Sequence, residues 1–296
     1  MFHLQGEWRP AEKDIGLDLA GNLFENDWLA ENVPDQKTGG DASDPISLHG
    51  HFEIERVNWG GLRLNAVSAD AGFHSPKWEW TKASFDYQGQ KIGLDGAYDT
   101  GEKKGVGFFG AESFDLKILE TYLADSNQSA SVDGKVSVKG AYEWSPRGFL
   151  VNADFESLGS VALANSSYQK KIWRLPFISS KKSTEDLFQG IAGGFHYQGS
   201  DSGKNLDLKN IRFLSEEFAF RFDGQMAVGK PDWKFDLEFL FSDYFMNQHI
   251  IWNEGLKRFA RLSAPEDPFR MTNGSLTHTL GLALEKKAGE FRYVLK

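Results

Sequence analysis

Trp233-Lys234-Phe235-Asp236-Leu237-Glu238-Phe239 places a large apolar residue at every odd position and a charged one at every even position. Successive side chains of a strand point to opposite faces, so this period of two predicts a half-buried β-strand with one apolar face and one wet face. The alternation recurs at Phe218, Phe220 and Phe222 around Ala219 and Arg221, at Val136 and Val138 among Lys135, Ser137 and Lys139, at Trp78 and Trp80, and at Ile15, Leu17 and Leu19. With 24 Phe and 9 Trp against only 9 Pro and 31 Gly, the composition suits many short strands and turns. The expected fold is mainly β: an elongated, twisted antiparallel sheet or groove of repeated hairpins with a few short helices.

Three copies of an apolar residue followed by Asp-Gly punctuate these runs, Leu94-Asp95-Gly96, Val132-Asp133-Gly134 and Phe222-Asp223-Gly224. They read as turns of a weak internal hairpin repeat. Residues 31–46 read as a linker or mobile loop, since Glu31 to Pro45 contains one aliphatic side chain larger than Ala, Val33. Residues 1–30 then read as the end of a preceding β segment, 47–242 as a β domain and 243–296 as a helix and strand extension. The opening Met1-Phe2-His3-Leu4-Gln5-Gly6 has no signal-peptide pattern and reads as the inside of a strand, as in a fragment of a longer protein. Helical patterns are few: Phe114 to Leu123 behind a Ser113 cap, Glu185 to Ile191 behind Ser183 and Thr184, and Tyr244 to Leu262.

Charge and cysteine content narrow the chemistry. A net charge of −9 repels phosphate backbones and anionic headgroups, so no nucleic-acid partner is expected. Without cysteine there is neither a disulfide nor a thiolate site. No run of about 18 apolar residues is present to cross a bilayer as a helix. Gly105-Val106-Gly107-Phe108-Phe109-Gly110 matches the dinucleotide fingerprint, but the polar turn Asp99 to Lys104 stands where a buried parallel strand would be required. The segment reads instead as a strand with Val106 and Phe108 on its buried face. His49 and His51 would share a strand face and need a third convergent ligand to hold zinc, while Glu53 and Glu55 suit a solvent face. No catalytic residue, metal site or cofactor is expected.

The apolar stripes therefore carry the functional question. An apolar sheet face is covered by a second sheet, by a helix or by an apolar ligand. The candidates for lining a lipid groove are Trp78, Trp80, Val136, Val138, Phe218, Phe220, Phe222, Trp233, Phe235, Leu237 and Phe239; the other reading makes them a closed core. A sugar-binding or sugar-cleaving sandwich would instead set Trp residues such as Trp8, Trp173 or Trp252 beside paired carboxylates.

The order of segments resembles the C-terminal region of the AsmA-like proteins, the clan that includes TamB and YhdP. Phe52 to Leu64 resembles that family's strand, glycine turn and strand, and Ala111 to Leu123 its strand-to-helix step. Leu187 to Tyr197 resembles a short helix entering a strand, and Leu206 to Leu237 the closing meander. The likeness spans roughly residues 47 to 242, while the segment Asp243 to Ala264 is more helical and aromatic than the family pattern. What the resemblance implies is a periplasmic, non-enzymatic module of an inner-membrane-anchored parent protein, with an apolar β-groove that shelters or conducts phospholipid or another acyl lipid during outer-membrane biogenesis. Membrane contact would come only through an anchor this chain lacks, and envelope proteins are possible partners. The alternative is a structural scaffold or secretion-system component of the same fold, acting through protein contacts.

Overall fold

A computed structural model describes residues 2–9, 14–21, 24–25, 47–59, 62–74, 76–120, 131–164, 185–200, 203–228, 233–249, 261–267, 269–270, 273–287 and 290–296. The linker reading of 31–46 lies outside them. Mainly β structure is what these residues form: antiparallel hairpins dominate, with short helical segments as additions. The chain makes two compact units, one of Met1–Glu112 with Lys139–Phe149 and one of Ser113–Val138 with Leu150–Lys296.

In the first unit, β1 (Phe2–Arg9) and β2 (Asp14–Gly21) form a hairpin, and β2 and the short β3 (Phe24–Glu25) run parallel to β4 (Ser47–Trp59). An antiparallel meander continues through β5 (Leu62–His74), β6 (Lys77–Tyr87), β7 (Gln90–Asp99) and β8 (Lys104–Asp115). The parallel pairs at β4 are the departure from the expected antiparallel order. Strand β10 (Lys135–Ser145) pairs with β8.

In the second unit, β14 (Gly190–Ser200), β15 (Gly203–Leu214), β16 (Phe218–Ala227) and β17 (Trp233–Phe241) form a meander, continued by β19 (His278–Lys287) and β20 (Glu290–Leu295). Strand β11 (Gly148–Ser157) lies beside β14, where the Ser157 hydroxyl accepts from Ile191 N at 3.0 Å. A separate three-stranded sheet joins β9 (Ser131–Asp133), β12 (Val161–Ala164) and β13 (Glu185–Phe188).

Three local expectations are corrected. Glu185 to Ile191 is strand, not helix: Asp186 and Phe188 are buried and Leu187 is exposed, a period of two set by pairing with β12. The helix expected over Tyr244 to Leu262 is described as α1 (Asp243–His249), and Leu262 belongs to the two-residue strand β18 (Arg261–Leu262) paired with β19. Behind β8, the helical stretch is a 3-10 turn at Leu116–Leu119, capped not by Ser113 but by Asp115, whose carboxylate accepts from Lys117 N at 2.9 Å.

The Asp-Gly repeat is real but is not a set of turns. Leu94-Asp95-Gly96 lies inside β7 and Phe222-Asp223-Gly224 inside β16. Each stands opposite a bulge in the preceding strand, between Trp80 and Ala83 in β6 and between Leu208 and Ile211 in β15. The bulged residues Lys82 (φ 51°) and Asn210 (φ 48°) occupy the left-handed region. Each turns its N–H out of the ladder onto the aspartate, Lys82 N to Asp95 Oδ1 and Asn210 N to Asp223 Oδ1, both at 2.7 Å. A bulge orphans a backbone donor, and a carboxylate at the facing position satisfies it. Val132-Asp133-Gly134 does sit at a break, between β9 and β10, with Gly134 at φ 145°.

The core of the second unit sits between β16, β17 and α1. Ser242 caps the helix, its hydroxyl accepting from Phe245 N at 3.1 Å, and this aims the Phe245 ring (0% exposed) at Phe218, Phe239 and Phe241. On the opposite face Ala219 and Leu240 are buried under Phe269 and Leu276. One end of β16 and β17 is thus buried on both faces, and the alternation read from Trp233 gives way to continuous burial over Phe239–Phe241.

Two stability predictions follow from burial and from the bulges. Phe239→Ala, at 1% exposure, should cost about 3–5 kcal/mol in urea unfolding and Phe235→Ala clearly less, since only the former leaves a closed cavity. Asp223→Ala, which strips the Asn210 N–H of its acceptor, should cost about 1–2 kcal/mol in the same assay; an unchanged midpoint would mean the bulge holds without the carboxylate.

Candidate functional site

Cross-strand register turns the stripes into rows. In the second unit Phe213, Phe220, Phe239 and Leu280 stand side by side, followed by a row of Ile211, Phe222, Leu237, Leu282 and Leu295. The third row is Phe195, Leu208, Gly224, Phe235, Leu284 and Tyr293, and the fourth contains Tyr197, Leu206, Met226 and Trp233. Burial falls along this series. Phe220, Phe239 and Leu280 are core, and so are Ile211, Leu237 and Leu282, whereas Phe195, Leu208, Phe235, Leu284, Tyr197, Leu206, Met226 and Trp233 are all half-buried.

The half-buried rings are nonetheless held. Trp233 lies 4.9 Å from Phe235, and Phe235 meets Phe222 edge-on at 5.8 Å. Gly224 faces Phe235 across the ladder, and a Cβ there would fall onto Cδ1 and Cε1 of the ring. A glycine in mid-strand thus gives an aromatic ring a flat seat.

The first unit has a comparable face. Leu48, Phe73, Trp78 and Tyr98 form one row, with Phe73 and Trp78 rings 4.8 Å apart and Tyr98 and Trp144 rings 5.4 Å apart. Next comes Gly50, Ala71, Trp80, Gly96 and Gly107, over which Tyr142 lies: a Cβ on Gly96 or Gly107 would stand 2.6 or 2.5 Å from its hydroxyl. Beyond the bulge, Ala83, Leu94 and Phe109 share a row, as do Phe85 and Ile92. Leu48, Phe73, Trp78, Trp80, Phe85, Ile92, Leu94, Tyr98 and Phe109 are every one half-buried, whereas the large buried side chains belong to the second unit. Burial raises the Tyr142 pKa, and a contact with the Trp80 side chain opposes that shift without reversing it.

The structure sorts the eleven groove candidates accordingly. Trp78 and Trp80 lie on the half-covered face of the first unit, and Phe222, Trp233 and Phe235 on the half-covered end of the second. Val136, Phe218, Phe220, Leu237 and Phe239 are core, with Val138 packed against them. Gly105 to Gly110 is a strand as expected, but its faces are reversed: Gly105 and Gly107 are buried beneath aromatic rings, while Val106 and Phe108 are 42% and 69% exposed. Rings from β10 occupy the space over the glycines, so the larger side chains take the other side. Phe195, Leu206, Leu208 and Leu284 were missed; their signal is the same period of two, diluted by Lys, Asp and Gly neighbours.

Polar clusters lie apart from these rows. His51 Nδ1 is 2.7 Å from Asp70 and Nε2 3.3 Å from Glu53, with Lys82 3.4 Å from Asp70. Among the described residues no three ligands converge to hold a metal. Arg221 joins Glu238 and, at 3.4 Å, Asp267, with its guanidinium over the Phe269 ring. Burial pulls its pKa down, yet the Glu238 and Asp267 contacts outweigh that and the net direction is upward. The clamp pins the segment carrying Phe269 onto the sheet. Trp173 and Trp252 lie outside the described residues, as does the Trp8 side chain.

Hydrogen bonds that His51 donates to Asp70 first, then to Glu53, raise its pKa above 6.5, and the bond to Asp70 lowers that of Asp70 below 3.8. The histidine contribution is full below 6.5 and lost as pH rises through the raised value; the aspartate contribution is present above 3.8 and lost as pH falls through the lowered one. Between about pH 6 and 8 the Tm should therefore fall slightly more for the native chain than for His51→Gln. Parallel curves would show that the contact is not kept in solution. No family model matches this chain, and neither do curated proteins or solved structures.

Proposed function

We propose that this chain is a non-enzymatic lipid-handling module of AsmA-like type, acting in the periplasm as part of an inner-membrane-anchored protein, and that its half-covered aromatic rows shelter acyl chains. The supporting observation is the half-burial of Phe195, Leu208, Phe235 and Leu284 and of the Trp78 and Trp80 face, in contrast to the closed packing around Phe218 and Phe239. The Phe195 to Tyr293 row crosses six strands. At about 4.8 Å per strand it runs ~24 Å, longer than the roughly 15 Å that one acyl layer occupies in a 30 Å bilayer core. Each methylene laid against such a row is worth about 0.8 kcal/mol, so a chain can be held with no catalytic or charged group. Continuous rows also let a tail shift along the surface in small steps.

Lipid extracted from protein expressed in the periplasm, weighed by native and denaturing mass spectrometry, tests the reading. Stoichiometric phospholipid or other acyl lipid is expected, and Phe235→Asp and Trp78→Asp should lose it while keeping a native unfolding transition, because neither residue is in the core. A folded, lipid-free native protein, or folded variants that keep their lipid, would overturn it.

A further inference from the structure

Strand β20 pairs with β19 on one side, and among the described residues no strand pairs with its other side. The ladder fixes which groups are left over. Lys296 N donates to Gly281 O at 2.9 Å, in the register that sets Val294 opposite Ala283 and Arg292 opposite Glu285. In an antiparallel pair these inward groups alternate with outward ones, so the N–H and C=O of Phe291, Tyr293 and Leu295 face away from β19. The strand carries neither proline nor bulge, two of the usual protections of a free edge, and its charges, Glu290, Arg292 and Lys296, are of both signs. Tyr293 and Val294 are 42% and 63% exposed.

We propose that a second copy of this chain docks on that edge, β20 against β20, antiparallel about a twofold axis at Tyr293. This register uses every outward group: Tyr293 meets its symmetry mate, and Phe291 and Leu295 exchange bonds twice, for roughly six new backbone hydrogen bonds. Within the chain Glu290 accepts from Arg292 at 2.8 Å and Lys296 meets Asp236. The register of Glu290-Phe291-Arg292-Tyr293-Val294-Leu295-Lys296 brings Glu290 opposite Lys296 of the partner subunit at both ends, which gives each of these pairs a further neighbour of opposite sign. The contact is independent of the lipid reading.

The chain has no cysteine, so Tyr293→Cys supplies a single thiol per copy. Hydrogen-bonded antiparallel partners stand about 5.5 Å apart at Cα, within disulfide range. Mild oxidation of the full chain should link Tyr293→Cys into dimers at least about tenfold faster than Val294→Cys, whose mate lies two register steps away. Sedimentation equilibrium of the native chain should show a concentration-dependent dimer, which Tyr293→Pro abolishes without loss of the unfolding transition, because that N–H serves no bond within the chain. Glu290→Lys and Lys296→Glu should each weaken the dimer about threefold to tenfold, and an equimolar mix of the two or the double variant should recover it. A native chain that stays monomeric, or equal cross-linking at 293 and 294, overturns the proposal.

Discussion

The stacking of Phe220 on Phe239, 4.9 Å apart and 16° from parallel across the β16–β17 pair, is the contact on which the second unit depends. It locks the register of the two central strands: a one-residue slip of β16 would turn Phe218, Phe220 and Phe222 to the opposite face and bring Arg221 inside, and a slip of β17 would do the same with Phe235, Leu237 and Phe239 against Asp236 and Glu238. Arg221 and Glu238 are themselves a cross-strand pair on the opposite face, so both faces enforce the same alignment. The rows of the neighbouring strands inherit it, from Phe213 on one side to Leu280 on the other.

Period two was legible in the sequence because it is a property of single strands: the stretch from Trp233 to Phe239 reads as it folds. What covers a face was not legible. Phe245 on α1 and Phe269 with Leu276 come from separate segments, and no alternation within β17 reports that they close one end and leave the other half-covered. The helix read over Glu185 to Ile191 failed for a related reason: seven residues behind a Ser-Thr pair look like a capped helix, and only the partner strand β12, paired with Glu185 to Phe188, decides otherwise. Continuous burial over Phe239, Leu240 and Phe241 likewise required knowledge of both covering segments.

Glycine was the most misleading residue type. Asp-Gly is a strong turn signal, yet Asp95-Gly96 and Asp223-Gly224 serve a bulge and an aromatic ring in mid-strand. In each case the aspartate takes up the N–H displaced by the bulge thirteen residues earlier, and the glycine clears space for a ring from another strand, Tyr142 or Phe235. The two functions occupy adjacent positions because alternate strand residues face opposite sides: the carboxylate stays on the polar face and the missing Cβ falls on the apolar one. The same logic reversed the expected faces of β8, where Gly105 and Gly107 make room for rings and displace Val106 and Phe108 to the outside.

Half-coverage of an apolar row differs physically from both a closed core and a loose patch. Phe218 and Phe239 are 2% and 1% exposed, and since protein interiors pack about as densely as organic crystals, an added methylene there would have to force side chains from their rotamers. Along Phe222, Phe235 and Trp233 each ring is held by a neighbouring ring, Phe222 across the strands and Trp233 along β17 both meeting Phe235, yet each keeps part of its area in water. An apolar chain laid against such rings removes that area from water without the entropic cost of ordering them, since the sheet has already fixed their positions. Contact area along such a row, rather than any single residue, would then set affinity, and the boundary of the accessible surface falls within the Phe222–Leu237 row, where half-buried Phe222 stands beside buried Leu237.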